Sequence, residues 1–160
     1  MKTSTKIGGA TGAVMAVIMA TAAIVQPWEG RELRAYQDIV GVWTICDGDT
    51  NNVRPGMVET DKGCDVRLYA NLKRYQSELD KCLVVDLPVK TEAAFVSWTY
   101  NIGWGAACKS TLVRKANAGD VRGACDELMK WVNAGGRFVK GLFNRRTAER
   151  QLCLEGLAGR

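Results

Sequence analysis

Residues 29–44 read Glu29-Gly-Arg-Glu-Leu-Arg-Ala-Tyr-Gln-Asp38-Ile-Val-Gly-Val-Trp-Thr44. This stretch places two carboxylates nine positions apart and a hydroxyl six positions beyond the second. The part up to Tyr36 can form two turns of helix, whereas the residues after Asp38 are β-branched and aromatic and predict a strand around a turn. We therefore expect Glu29 to lie on a helix and Asp38 at the entry to a hairpin.

Two acids on different elements can face each other across a gap, as general acid–base catalysis at a glycosidic bond requires. One carboxyl group must keep its proton near neutral pH so that it can protonate the leaving oxygen. The other must stay ionised to stabilise positive charge or to steer a water molecule. The spacing alone does not separate this chemistry from two unrelated surface acids, because acids nine residues apart occur in most soluble proteins.

The pattern of Glu29, Asp38 and Thr44 resembles the catalytic signature of the phage lysozymes of glycoside hydrolase family 24. Further similarity follows in the same order and covers about residues 29–155, in the segments Tyr100-Asn-Ile-Gly103, Ser110-Thr-Leu-Val-Arg114, Gly119-Asp120, Trp131-x3-Gly135-Gly136 and Gly141-Leu-x-Asn-Arg-Arg146. The resemblance implies muramidase activity without a cofactor. It assigns Glu29 as the acid, Asp38 as its partner and Thr44 as the residue that holds the attacking water.

The pattern and the resemblance together predict an α+β, lysozyme-like fold with a small β-hairpin lobe, a larger helical lobe and a cleft between them. Thr60-Asp61 can cap a long helix whose apolar positions continue to Leu79, and this helix would join the lobes. Leu87-Pro88 interrupts the helical pattern. Further helices are predicted from Thr91-Glu92 to Gly103, after the caps Ser110 and Asp120, and from Asn144 to Leu154, with a sharp turn at Gly135-Gly136.

Six cysteines and no histidine are present, and no two cysteines are closer than 17 residues in sequence. This argues against a zinc site and favours disulfides formed in an oxidising compartment. The layout of the resembled family implies the pairs Cys46–Cys64, Cys82–Cys108 and Cys125–Cys153, which spacing alone does not select. We expect all six cysteines to be oxidised.

One segment departs from the resembled family. In many relatives the segment after the catalytic threonine ends in Gly-His, whereas this chain has Asp49, with Asp47 just before it. An ion pair built on that histidine cannot form here. The catalytic assignment lies upstream and is unaffected, but the local packing and the response to pH are left open.

The N-terminal run Ile7–Val25 contains 19 residues without a charge and follows Lys2 and Lys6. A bilayer span needs about 20 residues, but glycine and alanine make this run only marginally apolar. It is a cleaved signal peptide ending near Ala20-Thr-Ala22, an uncleaved signal anchor or a buried core helix. The run exceeds the usual apolar region of a signal peptide, so we favour the anchor, and the flanking lysines disfavour the core helix.

An anchor divides the chain into residues 1–26, the transmembrane signal-anchor helix, and residues 27–160, the catalytic domain. The N-terminus would stay in the cytoplasm and the catalytic domain would lie in the periplasm. Since only three residues separate the apolar run from Glu29, membrane insertion would hold this acid at the bilayer surface and keep the enzyme inactive. This resembles the signal-anchor-release endolysins, in which loss of the membrane potential frees a marginal span.

The net charge of +5 is uneven, because residues 109–160 contain 11 Lys and Arg against 5 Asp and Glu. No nucleic-acid motif accompanies these charges, so we expect no nucleic-acid partner. The basic residues form solvated helix faces or attract acidic murein peptides and anionic lipid.

Two further pairs of residues each allow two interpretations. Arg145 and Arg146 belong to a helix surface or to the wall of the cleft. Trp98 and Trp104 belong to the core or stack on sugars.

The expected function is therefore that of a monomeric endolysin that cleaves the β-1,4 bond between N-acetylmuramic acid and N-acetylglucosamine in peptidoglycan, for host cell lysis at phage release. It would first be held in the inner membrane through residues 7–25 and then be released. Two alternatives stay open: a lytic transglycosylase, which forms an anhydro product on the same bond, and an inactive, membrane-tethered wall-binding protein. The sequence also leaves open whether the reaction inverts or retains configuration.

Overall fold

The computed structural model describes residues 10–159. Its helices are α1 Ala10–Glu29, α2 Asp61–Asp80, α3 Val89–Ile102, α4 Trp104–Cys108, α5 Thr111–Asn117, α6 Val121–Glu127 and α7 Lys140–Ala158, with a 3-10 turn at Leu128–Lys130. The strands are β1 Glu32–Gln37, β2 Trp43–Cys46, β3 Asn133–Ala134 and β4 Arg137–Phe138. Residues 1–9, including Lys2, Lys6 and the start of the apolar run, lie outside the described part. The arrangement confirms the predicted α+β, lysozyme-like fold.

The small lobe is an antiparallel hairpin of β1 and β2 in which Tyr36 lies opposite Thr44. Asp38 forms the turn between them, since its Oδ1 accepts hydrogen bonds from the amides of Val40 and Val42 at 2.9 and 2.8 Å. An aspartate that accepts from the amide two residues ahead is a common way to close a turn. The hairpin therefore presents Asp38 at its tip.

Helix α2 joins this lobe to the helical one and begins where the sequence predicts. The Thr60 hydroxyl accepts a hydrogen bond from the amide of Gly63 at 3.0 Å, which satisfies one of the free donors of the first turn. One face of the helix is buried from Cys64 through Leu68 and Leu72 to Leu79. The predicted cap and apolar face of the long helix are both confirmed.

The larger lobe is built around α3, whose central residues are almost entirely buried. Trp98 is fully buried and meets the ring of Trp131 edge-on, with 5.5 Å between the ring centres. It therefore belongs to the core and not to a sugar-binding surface. The predicted caps Ser110 and Asp120 accept from the amides three residues ahead, and Gly135-Gly136 forms the turn between β3 and β4. Helix α7 extends beyond its predicted range at both ends.

Helix α1 packs against α2 and α3 through a narrow strip of its surface. The buried residues of this strip are Val17, Ile18, Thr21, Ala22 and Val25. The helix continues through Pro27 to Glu29, so the predicted division after residue 26 lies within α1. By length and composition, α1 is the one helix in the described part that could cross a membrane, although signal sequences and core helices share these properties.

The predicted helix from Glu29 to Tyr36 is wrong, because α1 ends at Glu29 and β1 begins at Glu32. Gly30 has a φ of +61°, and a left-handed glycine is a common way for a helix to stop. The following chain is extended and pairs with the segment before α2. The Leu33 carbonyl accepts a hydrogen bond from the Glu59 amide at 2.8 Å. A helical period in the sequence is here overridden by the glycine and by strand pairing.

The three disulfides have the predicted pairing. Cys46–Cys64 ties the hairpin to α2, Cys82–Cys108 ties the end of α2 to α4, and Cys125–Cys153 ties α6 to α7. No cysteine is free. The disulfides therefore connect elements that are adjacent in space in both lobes.

Candidate active site

A cleft of about 250 Å³ lies between the hairpin lobe and the helical lobe. One side is the loop 48–51 that follows β2, and the other is formed by α2, the end of α3 and α4. Glu29 lies among the residues that line it, which are Glu29, Gly48, Asp49, Thr50, Asn51, Asn71, Arg74, Tyr75, Tyr100, Asn101 and Trp104. The cleft contains the acid that the sequence nominates.

Two arginines fix the loop of the cleft. Arg31 Nη2 lies 2.8 Å from Asp47 Oδ2 and 2.8 Å from Asp65 Oδ1, so it joins the loop to α2. Arg67 Nη1, on α2, lies 2.8 Å from Asp49 Oδ2. Both loop aspartates are buried, and charge-assisted hydrogen bonds of this length are among the stronger polar contacts in a protein. The loop is therefore held on both sides of Gly48.

Asp49, which the resemblance predicts to stand where many relatives have histidine, forms an ion pair with Arg67. Burial opposes the ionisation of Asp49. Hydrogen bonds from Arg67, from the Asn51 amide and from Asn71 outweigh this effect and hold the pKa of Asp49 below its usual 3.8. Asp49 and Arg67 therefore form an ion pair that is ionised at all but acidic pH.

Glu29 is the last residue of α1, and its two oxygens have different surroundings. Its Oε1 accepts a hydrogen bond from Arg145 Nη1 at 2.8 Å. Its Oε2 points to Gly48 and lies 3.5 Å from the place where a Cβ on that glycine would be. Gly48 has a φ of +86°, which favours glycine. One oxygen is thus held by a guanidinium, and the other faces the loop that lines the cleft.

Arg145 belongs to a buried cluster of charged side chains on α7, together with Arg146 and Glu149. Arg145 Nε lies 3.3 Å from Glu149 Oε1, and Arg146 Nε lies 2.9 Å from Glu149 Oε2. Ser97 on α3 donates to Glu149 Oε1 at 2.7 Å, and Arg146 Nη2 donates to Asn101 Oδ1 at 2.6 Å. The cluster reaches the cleft at two points, through Glu29 and through Asn101.

The burial of this cluster corrects one of the sequence interpretations. The side chains of Arg146 and Glu149 are both 0% exposed and that of Arg145 is 6% exposed, so the two arginines do not belong to a helix surface. Burial raises the pKa of Glu149 and lowers the pKa of Arg146. The sequence spacing does predict the ion pairs, because residues three and four apart meet on a helix, but it does not predict their burial.

Asp38 and Thr44 lie together on the hairpin, outside the set of residues that line the cleft. The Asp38 carboxylate uses Oδ1 to close the turn. The Thr44 side chain is nearly buried, and its hydroxyl donates to the Val42 carbonyl at 3.0 Å. Of the three predicted site residues, the structure therefore brings Glu29 into the cleft and gives Asp38 and Thr44 local partners on the hairpin.

Three aromatic side chains, Tyr75, Tyr100 and Trp104, line the cleft together. The sequence analysis did not predict this group. Tyr75 meets Tyr100 and Trp104 edge-on at 5.0 and 4.9 Å between ring centres, and Arg74 lies 5.2 Å from the Trp104 ring. Burial, and after it the charge of Glu29, raises the pKa of Tyr100, whose hydroxyl donates to the Asp47 carbonyl at 3.1 Å. Trp104 is therefore placed where a sugar ring could stack, and Tyr100 stays a neutral donor.

The described residues contain no group of three or more metal-binding side chains.

The profile of the phage lysozyme family matches residues 26–149, from the end of α1 to Glu149. The chain belongs to the phage lysozyme family. The match includes the three nominated residues, the cleft loop and the buried arginines of α7.

Relatives within and around this family cover nearly all of the chain. The SAR-endolysin of Enterobacteria phage PA-2 is 39% identical over 151 residues, which are 94% of this chain and 92% of that protein. The muramidase domain of SpmX from Asticaccaulis excentricus has a TM-score of 0.78 at 27% identity and covers 84% of this chain and 95% of that one.

The active form of the P1 phage endolysin Lyz also has a TM-score of 0.78, at 25% identity, covering 91% of this chain and 94% of that one. The secreted inactive form of the same endolysin has a TM-score of 0.55 at 24% identity, covering 91% and 95%. The fold of this phage lysozyme is thus more similar to the active form.

Proposed function

We propose that this phage lysozyme is a monomeric muramidase that hydrolyses the β-1,4 bond between N-acetylmuramic acid and N-acetylglucosamine in peptidoglycan. The observation that carries the proposal is the position of Glu29, which ends α1 inside the cleft with one oxygen bound to Arg145 and the other turned to the cleft loop. An acid in this position can deliver a proton to the oxygen of a glycosidic bond. Nucleic acid is not proposed as a substrate or partner.

Asp38 and Thr44 complete the proposed chemistry from the hairpin. Asp38 uses one oxygen in the turn. Its proposed role is to supply the negative charge opposite the oxocarbenium-like transition state. The Thr44 hydroxyl gives its hydrogen to the Val42 carbonyl, so its oxygen is oriented to accept a hydrogen bond from a water molecule. These roles agree with the resemblance in the catalytic stretch.

The products of murein digestion test this function. Purified full-length chain, released from the membrane fraction, is incubated with murein, and the fragments are analysed by mass spectrometry. Hydrated reducing ends at N-acetylmuramic acid support the proposal, whereas anhydro ends indicate a transglycosylase and intact murein indicates a wall-binding protein. Glu29→Gln is the negative control, because it keeps the shape of the side chain and removes the acid.

We further propose that residues 1–26 are a signal anchor that holds residues 27–160 at the periplasmic face of the inner membrane until release. The support comes from the continuity of α1, which contains the described part of the apolar run, residues 10–25, and ends at Glu29. While such a helix spans a bilayer, it cannot pack on α2 and α3, and Glu29 cannot reach Arg145. Release would therefore assemble the cleft by the same packing that buries Val17, Ile18 and Val25.

A further inference from the structure

We propose that Glu149 is a positioning residue that sets the orientation of Glu29 by holding Arg145 from behind. The inference rests on the proposed role of Glu29 as the acid. Glu149 is fully buried and does not line the cleft, so it acts only through its neighbours.

The contacts of Glu149 leave it little freedom. Its Oε1 accepts from Ser97 at 2.7 Å and from Arg145 Nε at 3.3 Å, and its Oε2 lies 2.9 Å from Arg146 Nε. These groups come from α3 and α7, which are packed together. Oε1 thus accepts hydrogen bonds from both helices, whereas Oε2 makes an ion-pair contact with Arg146 and no hydrogen bond. Rotation of the carboxylate would break the two hydrogen bonds and the ion pair.

The geometry of Arg145 transmits this constraint to the cleft. A guanidinium is a planar fork, so a partner at Nε fixes the direction of the other nitrogens. With Nε on Glu149, Arg145 meets Glu29 through Nη1 alone and binds only Oε1. This leaves Oε2 turned to the cleft loop at Gly48.

Loss of the Glu149 charge changes this arrangement in a defined way. Arg145 then has Glu29 as its one carboxylate, and its fork can turn to bind both oxygens of Glu29 in the bidentate geometry that arginine favours. Oε2 would no longer be available to the glycosidic oxygen. The charge balance would also change, because the two arginines are matched by Glu29 and Glu149 in the native cluster.

The test measures kcat and KM separately on soluble murein glycan fragments of defined length. Glu149→Gln is expected to lower kcat about 10- to 100-fold, the scale of a small misplacement of a catalytic group, with KM changed less than threefold. Asp126→Asn is the matched control. It removes an exposed ion pair between Asp126 on α6 and Arg150, which lies on the same helix as Glu149. It should leave both constants within twofold of wild type.

A second variant separates positioning from stability. Glu149→Leu combined with Arg146→Met replaces the buried pair by apolar groups, an exchange that often keeps or raises stability. It is expected to keep a melting temperature near that of wild type and still to lose kcat, because Arg145 remains without its partner.

The outcomes distinguish the two proposals. If the wild-type chain does not cleave murein, the proposed function fails; if it does and the folded double variant has kcat within threefold of wild type, the role of Glu149 fails. Ser97→Ala keeps every charge and removes the hydrogen bond from Ser97 to Glu149 Oε1. This variant is the deciding test if both Glu149 variants fail to fold. A threefold or larger fall in kcat supports the inference, and wild-type kcat overturns it.

Discussion

Single residues of the proposed site combine a structural contact with a proposed chemical role, and Asp38 on the hairpin shows how the two can be separated. Its Oδ1 closes the hairpin turn by accepting from two amides, a contact that needs an oxygen but not a charge. The proposed catalytic role needs the charge. Conservative substitution at this residue therefore distinguishes the two contributions.

Asp38→Asn is expected to keep the fold and to lose activity. The amide oxygen of asparagine can accept the same two hydrogen bonds, so the free energy of unfolding should change by less than about 1 kcal/mol. Turnover of murein should fall about 100-fold or more, as is typical when a catalytic carboxylate is removed. Asp38→Ala, which removes the acceptor as well, should lose stability in urea titrations. An Asp38→Asn variant that retains a tenth of wild-type turnover would contradict the proposed catalytic role of Asp38.

Asp49 gives a prediction about pH at the same scale. The lowered pKa of Asp49 means that its ionised form stabilises the fold at every pH above its unfolded value near 3.8, and that this stability is lost as the pH falls through the lower folded value. Asp49→Asn should therefore lower the free energy of unfolding by about 2 kcal/mol at pH 7, and the difference should shrink below pH 4.

Urea unfolding at pH 8, 6 and 3.5 measures this dependence. A histidine pair would weaken between pH 6 and 8 as the imidazole loses its proton, whereas the pair of Asp49 with Arg67 should be equally strong at both values. A cost of Asp49→Asn that is the same at pH 3.5 as at pH 6, or that changes between pH 6 and 8, would disprove the interpretation.

Among the elements, α1 has two environments to satisfy, since it must be apolar enough for a bilayer and must also pack on a soluble domain. In the described structure its buried strip is narrow, and Met15 and Met19 on the other face are exposed. Small residues allow close packing on α3, and Thr21 donates to the Val17 carbonyl of its own helix at 2.7 Å, which satisfies its hydroxyl in either environment. These features suit a helix that leaves the membrane.

Leucine at Gly8, Gly9 and Gly12 is expected to hold the protein in the membrane and to block lysis. Three leucines make the span more favourable by roughly 1 to 2 kcal/mol. At Gly12 an added Cβ meets no atom within 4 Å, so the substitution there does not disturb the packed form; Gly8 and Gly9 lie outside the described residues. Fractionation before and after depolarisation of the membrane measures the release.

The matched control replaces the same three glycines by serine, which should release at least as readily as wild type. Mass spectrometry of the N-terminus should find the wild-type chain uncleaved in both fractions. Wild-type protein that is shortened and soluble before depolarisation would instead show an ordinary signal peptide.

On the scale of the whole molecule, the three disulfides join elements within and between the lobes and leave no thiol for regulation. The segment 1–26 contains no cysteine, so the anchored and released forms would carry the same disulfides. Release in this chain is therefore expected to depend on packing of α1 and not on thiol exchange.

Thiol labelling of the denatured, unreduced protein should find no reactive cysteine. Reduction should lower the free energy of unfolding by about 3 kcal/mol for each loop, according to the chain-entropy estimate. A reductant added to the membrane-held form should not activate it. Two or more labelled thiols per chain, or activation by the reductant, would contradict this account.

Local patterns in the sequence were sufficient for several features of this protein, and each has a local physical cause. The cap at Thr60 and the apolar face from Cys64 to Leu79 follow from hydrogen bonding and periodicity within one helix. The cysteine pairing followed from resemblance in motifs, and the catalytic roles of Glu29, Asp38 and Thr44 stay a prediction from the same resemblance. These features depend on neighbours in the chain or on a pattern shared with relatives.

Other features were decided only by tertiary structure, because they depend on residues distant in sequence. The stretch after Glu29 became a strand because Gly30 stopped α1 and Leu33 found a partner in Glu59. Arg145 and Glu149 have the spacing of an exposed helical pair, and yet they are buried because α3 covers them and Glu29 arrives from α1. Charged residues carry no periodic signal for burial, since their burial is stable only when partners from other elements compensate for the lost water.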